Sequence, residues 1–276
     1  MTVEATCQDL TPRRLAPSRR PRCPSLRGYA LLAAALALWE VLSRFILPLS
    51  NPQVAILMPA PSVVVVTAGH LIASGELPGH LLASLKREAG AFLFALAAVP
   101  LGIAMGYWRA VHEQLYPLLE VLRPIPPLAW IPLSILWFGL GDTQNQFIIF
   151  LGMVFPILIN TIAAVHHVDP TLIRAARSLG AGERAVLSRV VLPAALPQIV
   201  TGIRVGLGVG WMALVAAELV GASDGLGFLI NDARSLLRTD IIVVGMLTIG
   251  LAGLVLDVGV RRLAVRLLPW SAALAR

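Results

Sequence analysis

The acids Glu40, Glu218 and Asp257 stand in apolar surroundings and are the residues best placed for proton or ion chemistry. Desolvating a carboxylate at membrane depth is costly, so each is a candidate ion site until a partner is found for it. Arg44 follows Glu40, and Arg261 follows Asp257, by one helical turn; this spacing puts each pair on one helix face and predicts ion pairs. Arg44 has the alternative of reaching the outer headgroups. Glu218 has no basic neighbour at that spacing and is read either as a pathway or gate residue or as a structural one. His166 and His167 point about 100° apart on a helix, which argues against a shared metal. A P-loop needs Gly-x4-Gly-Lys followed by Ser or Thr, and Lys86, the sole lysine, precedes Arg87. Nor is a zinc-peptidase helix, a paired-cysteine site or a serine-nucleophile elbow expected. The chain is expected to carry no catalytic residues, no metal and no cofactor of its own.

Residues 169–197 suggest docking chemistry instead. Asp169 can cap a helix whose first position is Pro170. Leu172, Ala175, Ala176 and Leu179 recur at helical spacing, with Arg174 and Arg177 on the more polar side. Gly180 and Gly182, flanking Ala181, permit a sharp turn, and a second short helix runs from Glu183 towards Pro193. A polar helix–turn–helix between strongly apolar segments is a shape that a partner protein can grip. It predicts a transmission device rather than a catalyst.

This loop resembles the signature of permease subunits of ATP-binding-cassette importers, roughly Glu-Ala-Ala, three residues, Gly, then a run ending in Leu-Pro. Ala175, Ala176, Gly180, Leu192 and Pro193 match it, while Arg174 stands at the glutamate position. RPIPPLAWIPLSILWFGLG at 123–141 and GLGFLINDARSLLRTD at 225–240 resemble the nitrate/sulfonate/taurine branch, so the resemblance extends over roughly 28–270. It implies an ATPase-coupling loop over 166–198, a second copy of the chain, a cytoplasmic ATPase dimer that uses the ATP, and a periplasmic or extracellular solute-binding protein. It places the chain in a bacterial inner membrane and Pro127, Trp130, Trp137, Asn160, Trp211 and Glu218 as candidates along the translocation pathway. The reversed charge at Arg174 implies an acidic or neutral group on the ATPase, or a turn of Arg174 towards Glu183 or lipid. An ion-coupled secondary transporter using Glu40, Glu218 and Asp257 is the alternative.

The elements that must position these residues are membrane helices. The chain is 57% hydrophobic and 13% charged, with a mean hydropathy of +0.81, beyond the range of soluble domains. Runs that can cross ~30 Å of hydrocarbon need about 20 helical residues. Six are read: 28–48, 81–107, 115–138, 146–165, 199–221 and 241–263. The fold class is an all-α membrane protein of six transmembrane helices, a permease domain over 28–276 preceded by a flexible basic arm over 1–27. With both termini cytoplasmic, 17 of the 22 Lys and Arg residues, Arg123 and Arg204 among them, fall inside, as the positive-inside rule requires. The net charge of +7 is thereby accounted for by topology, and no nucleic-acid partner is expected. Cys7 and Cys23 both lie in the arm and should stay reduced.

Within the spans, Gly202, Gly206 and Gly210 recur every four residues and predict a groove for another helix; Gly102 and Gly106 repeat the device. Pro117, Pro124, Pro126, Pro127 and Pro132 kink or interrupt the third span, either for packing or beside a cavity. Asn160 is expected to hydrogen-bond across helices. Ser62–Ser74 is read as a short helix on the outer surface.

Overall fold

The computed structural model describes residues 26–46, 57–268 and 270. The basic arm up to residue 25, with Cys7 and Cys23, and residues 49–56 of the outer segment lie outside the described residues. In order the helices are α1 (Leu26–Val41, continued by a π turn Leu42–Ile46), α2 (Pro61–Ala73), α3 (Glu76–Ala95), α4 (Ala98–Tyr107), α5 (Arg109–Leu122), α6 (Ile131–Phe138), α7 (Asp142–His166), α8 (Pro170–Ser178), α9 (Glu183–Val186), α10 (Leu192–Gly221), α11 (Leu226–Ser235) and α12 (Thr239–Leu267). No strand occurs among the described residues.

Helix α7 is the centre of the bundle because it is apolar on every side. Ile148, Ile149, Met153 and Ile157 are wholly buried in it. Glycine stripes on two neighbours let their backbones close on it from opposite flanks. A Cβ at Gly202 of α10 would lie 2.5 Å from the Asn160 Cβ, and one at Gly206 would lie 2.6 Å from the Ile157 Cγ1; Gly210 faces Met153. On the other flank, a Cβ at Gly102 or Gly106 of α4 would lie 2.7 Å from the Cβ of Thr161 or Val165. Both stripes therefore do what their spacing predicts. Gly202→Ala is expected to cost about 1–3 kcal/mol through overpacking. Gly208→Ala, in the same helix with nothing within 4 Å of the added methyl, should leave the thermal midpoint of the purified protein unchanged or raise it.

Four helical runs among the described residues are long and apolar enough to cross a bilayer: Glu76–Tyr107, Asp142–His166, Glu183–Gly221 and Thr239–Arg266. A fifth is broken. Arg109–Leu122 and Pro127–Phe138 meet at 81°, so the third predicted span is an elbow rather than one kinked helix. Its cause is local: Pro124, Pro126 and Pro127 bias the residues before them to extended backbone, and Pro126 sits at φ −63°, ψ 142°. The short outer helix expected over 62–74 is α2, starting at Pro61. The second helix of the predicted loop does not stop at Pro193. Helix α9 passes through a π turn, Leu187–Val191, into α10.

Candidate functional site

The loop begins as its residues dictate. The Asp169 side chain accepts the Thr171 N–H at 2.8 Å, and Pro170 follows the cap. That bond holds the Asp169 carboxyl below the ordinary carboxylate range. The chain reverses after Leu179 at Gly180, whose φ of +82° is the left-handed region that a side chain rarely adopts. Ile173, Ala176 and Ala181 turn inwards onto Val165, Val186 and Val191. Leu172, Arg174, Ala175 and Leu179 face out, and Leu179 is 89% exposed. The surface of the loop is thus a short apolar ridge flanked by arginine.

Glu183 fastens the turn, but not through Arg174. It accepts Arg177 Nη2 at 2.8 Å and the Tyr107 hydroxyl. Arg174 reaches only Thr171 Oγ1, at 3.4 Å. Arg177 stands six residues from Glu183 across the turn and so takes the partner that the sequence offered to Arg174. Leu192 and Pro193 lie in the first turn of α10.

The six pathway candidates do not converge. Pro127 and Asn160 line one cavity of about 360 Å³ with Phe155 and Val209. Trp130 and Trp137 belong to an aromatic cluster with Phe138 and Phe147, their ring centroids 6.4 Å apart. Trp211 lies on the other side of α10, donating its indole N–H to Ile249 O at 3.2 Å. Asn160 bonds its own helix, donating to Pro156 O at 2.8 Å, and not a neighbour. His166 packs against His112, whereas His167 meets Gln198.

The sixth, Glu218, is 1% exposed and sits in a network that no motif signals. Arg87 of α3 donates to Glu218 at 2.9 Å, to Asp142 at 2.5 Å, to the Asp224 carbonyl at 2.9 Å and to the Asp224 carboxylate. Ser84 donates to Glu218 at 2.8 Å, and the Gly227 N–H at 2.9 Å. Gly225, at φ +105°, must lack a side chain, since a Cβ there would enter the Glu218 carboxylate. Arg87 ties α3, α7 and α10 to the 222–226 loop. Residues 221–225 do spell Gly-x-Ser-x-Gly, contrary to expectation, but they leave a helix rather than a strand, so the strained elbow that exposes a nucleophile is missing.

Next to Arg87, Glu88 is 3% exposed and neither carboxylate oxygen has a hydrogen-bond partner. Burying a carboxyl group that has no hydrogen-bond partner opposes folding. Glu88→Gln is therefore expected to raise the thermal midpoint, by about 2–4 °C for each kcal/mol gained. Asp257 also pairs differently from expectation. Asp257 accepts Arg204 of α10 at 2.8 Å rather than Arg261, because the facing helix presents its guanidinium first. Glu40 and Arg44 do pair, at 2.8 Å, and Glu40 also accepts from Ser62.

The chain is similar to known proteins. Residues 98–270 match the family described as binding-protein-dependent transport system inner membrane component. A putative ABC transporter permease protein of Methanocaldococcus jannaschii is 47% identical over 87% of this chain and 90% of its own. The taurine transport system permease protein TauC of Escherichia coli is 46% identical over 69% of this chain and 70% of its own. A putative aliphatic sulfonates transport permease protein, SsuC, of Bacillus subtilis is 38% identical over 91% and 90%. The crystal structure of an amino acid ABC transporter superposes with a TM-score of 0.58 at 18% identity, covering 78% of this chain and all of the other, a likeness of fold alone.

Proposed function

Since the chain belongs to the binding-protein-dependent transport family and is a permease subunit of an ABC importer, we propose that it imports a small sulfonate-type anion. The observation that carries this reading is the 46% identity to a taurine permease. Six spans would form the pathway: α1 with its π turn, α3–α4, α5–α6, α7, α9–α10 and α12. Both termini would be cytoplasmic, with α2 and α11 on the outer face. Two copies would pair, each gripped through α8 by a separate ATPase, while a solute-binding protein delivers cargo outside.

In this mechanism the chain performs no covalent chemistry. ATP binding would close the ATPase dimer and move the ridge of Leu172, Arg174 and Leu179. The continuity of α9 with α10 supports direct transfer of that movement to the helix against which α7 is packed. The bundle would then rock between inward- and outward-open states.

Proteoliposomes holding the permease with its ATPase and binding protein test the proposal. Labelled taurine, ethanesulfonate or nitrate should accumulate only with ATP and all three components. Uptake driven by a proton or sodium gradient without the ATPase would establish the ion-coupled alternative. Ala181→Cys should react with a thiol reagent from the cytoplasmic side; reaction from outside would overturn the topology.

A further inference from the structure

Two buried side chains, Glu88 of α3 and Asn145 of α7, have no hydrogen-bond partner at any side-chain oxygen or nitrogen among the described residues. Helical register sets them level with each other. Where α7 runs beside α3 and α4, Gly90 meets Gln146, Gly102 meets Leu158 and Gly106 meets Ile162, an offset of 56 residues each time. Position 88 therefore falls beside 144–145. On the other flank Gly210 of α10 meets Met153, and the two helices run in opposite senses. Eight residues further on, that register brings Glu218 opposite Asn145. The three helices share one apolar core at Ala91, Ile149 and Leu214. Glu88, Asn145 and Glu218 each lie one turn from those residues, on the same faces. They form a polar wedge over the core. Asn145 is 21 residues from the end of α7 at His166, about 30 Å along a helix, so the wedge lies far from the 169–182 loop.

The wedge is short of positive charge. Glu218 is close enough for its charge to act on Glu88, and the Arg87 guanidinium is already divided among Glu218, Asp142 and Asp224. An acid buried in a span calls for a partner. A proton on Glu88 is a poor one: the hydroxyl so formed would find no acceptor, and Asn145 would stay bare. A small cation takes both a carboxylate oxygen and an amide oxygen as ligands. Calcium and magnesium draw on about six or more oxygens, and no group of three or more acid, histidine or cysteine side chains among the described residues could hold such an ion. One unpaired carboxylate matches a singly charged ion.

We propose that Glu88 and the Asn145 amide oxygen hold one sodium ion where α3, α7 and α10 meet, with water completing its shell, and that the bound ion braces the three helices against one another. The site is independent of the solute that the chain imports.

Thermal melting of the purified full-length permease provides the test, in sodium chloride and in choline chloride of equal ionic strength. Sodium is expected to raise the wild-type midpoint by about 4 °C over choline, the size of shift that binding to the folded state alone produces. The advantage of Glu88→Gln over the wild type belongs to choline and should shrink by the same amount in sodium, since the variant gains nothing from the ion. Asn145→Leu, which keeps the side-chain volume, should lose the sodium shift as well. A wild-type shift no larger than that of Glu88→Gln overturns the site, and so does a shift given by calcium or magnesium but not by sodium. A second measurement needs no variant. Radioactive sodium should bind the unaltered protein saturably and be displaced by unlabelled sodium but not by choline; binding that neither saturates nor is displaced would mean that water alone fills the wedge, and overturns the site.

Discussion

Arg87→Leu is expected to destabilise the permease by about 3–5 kcal/mol, enough to abolish most folded material in detergent. The size follows from what is left behind. Glu218 would remain 1% exposed with its cation gone, and Asp142 and Asp224 would lose the group that holds their loops against α3. Removing both charges is predicted to be milder than removing one. The double variant Arg87→Leu with Glu218→Gln retains an oxygen to accept from Ser84 and the Gly227 N–H, and should recover more than half of the lost stability. Thermal melting of the single and double variants measures this directly. If the double variant melts no higher than Arg87→Leu alone, the ion pair is not the source of the cost.

The same network marks the boundary of what the sequence discloses. Glycines every four residues, the Asp169–Pro170 cap and the Gly180 turn are local signals, and the structure realises each of them. Apolar length discloses four of the spans, and the proline cluster the interruption of the third. Arg87 is opaque because its partners lie 55, 131 and 137 residues away; nothing within a helical turn hints at them. Asp257 misleads for the opposite reason: a plausible partner one turn away conceals the real one on the facing helix. Of the pathway candidates, chosen for polarity or aromaticity in apolar runs, only Pro127 and Asn160 share a cavity. Sequence polarity cannot say which side of a helix faces the lumen.

Leu179→Arg is expected to reduce ATP-driven uptake at least tenfold without moving the thermal midpoint by more than about 1 °C. Such a split has a physical basis. Leu179 is 89% exposed, so the folded subunit hardly depends on it, and surface changes of this kind fall within about 0.5 kcal/mol. An apolar side chain held out at a helix end by a left-handed glycine nevertheless has a fixed direction, unlike one on a free loop. If it fills a pocket of the ATPase, a guanidinium there must be desolvated without a partner, and contacts at the centre of an interface commonly exceed 2 kcal/mol. Co-purification of the ATPase should fall in parallel with uptake. Arg174→Glu separates the contribution of charge from that of shape. Wild-type uptake by that variant would mean that Arg174 forms no specific pair and that the apolar ridge carries the grip. Unaltered uptake and ATPase retention in Leu179→Arg would instead remove α8 from the docking surface.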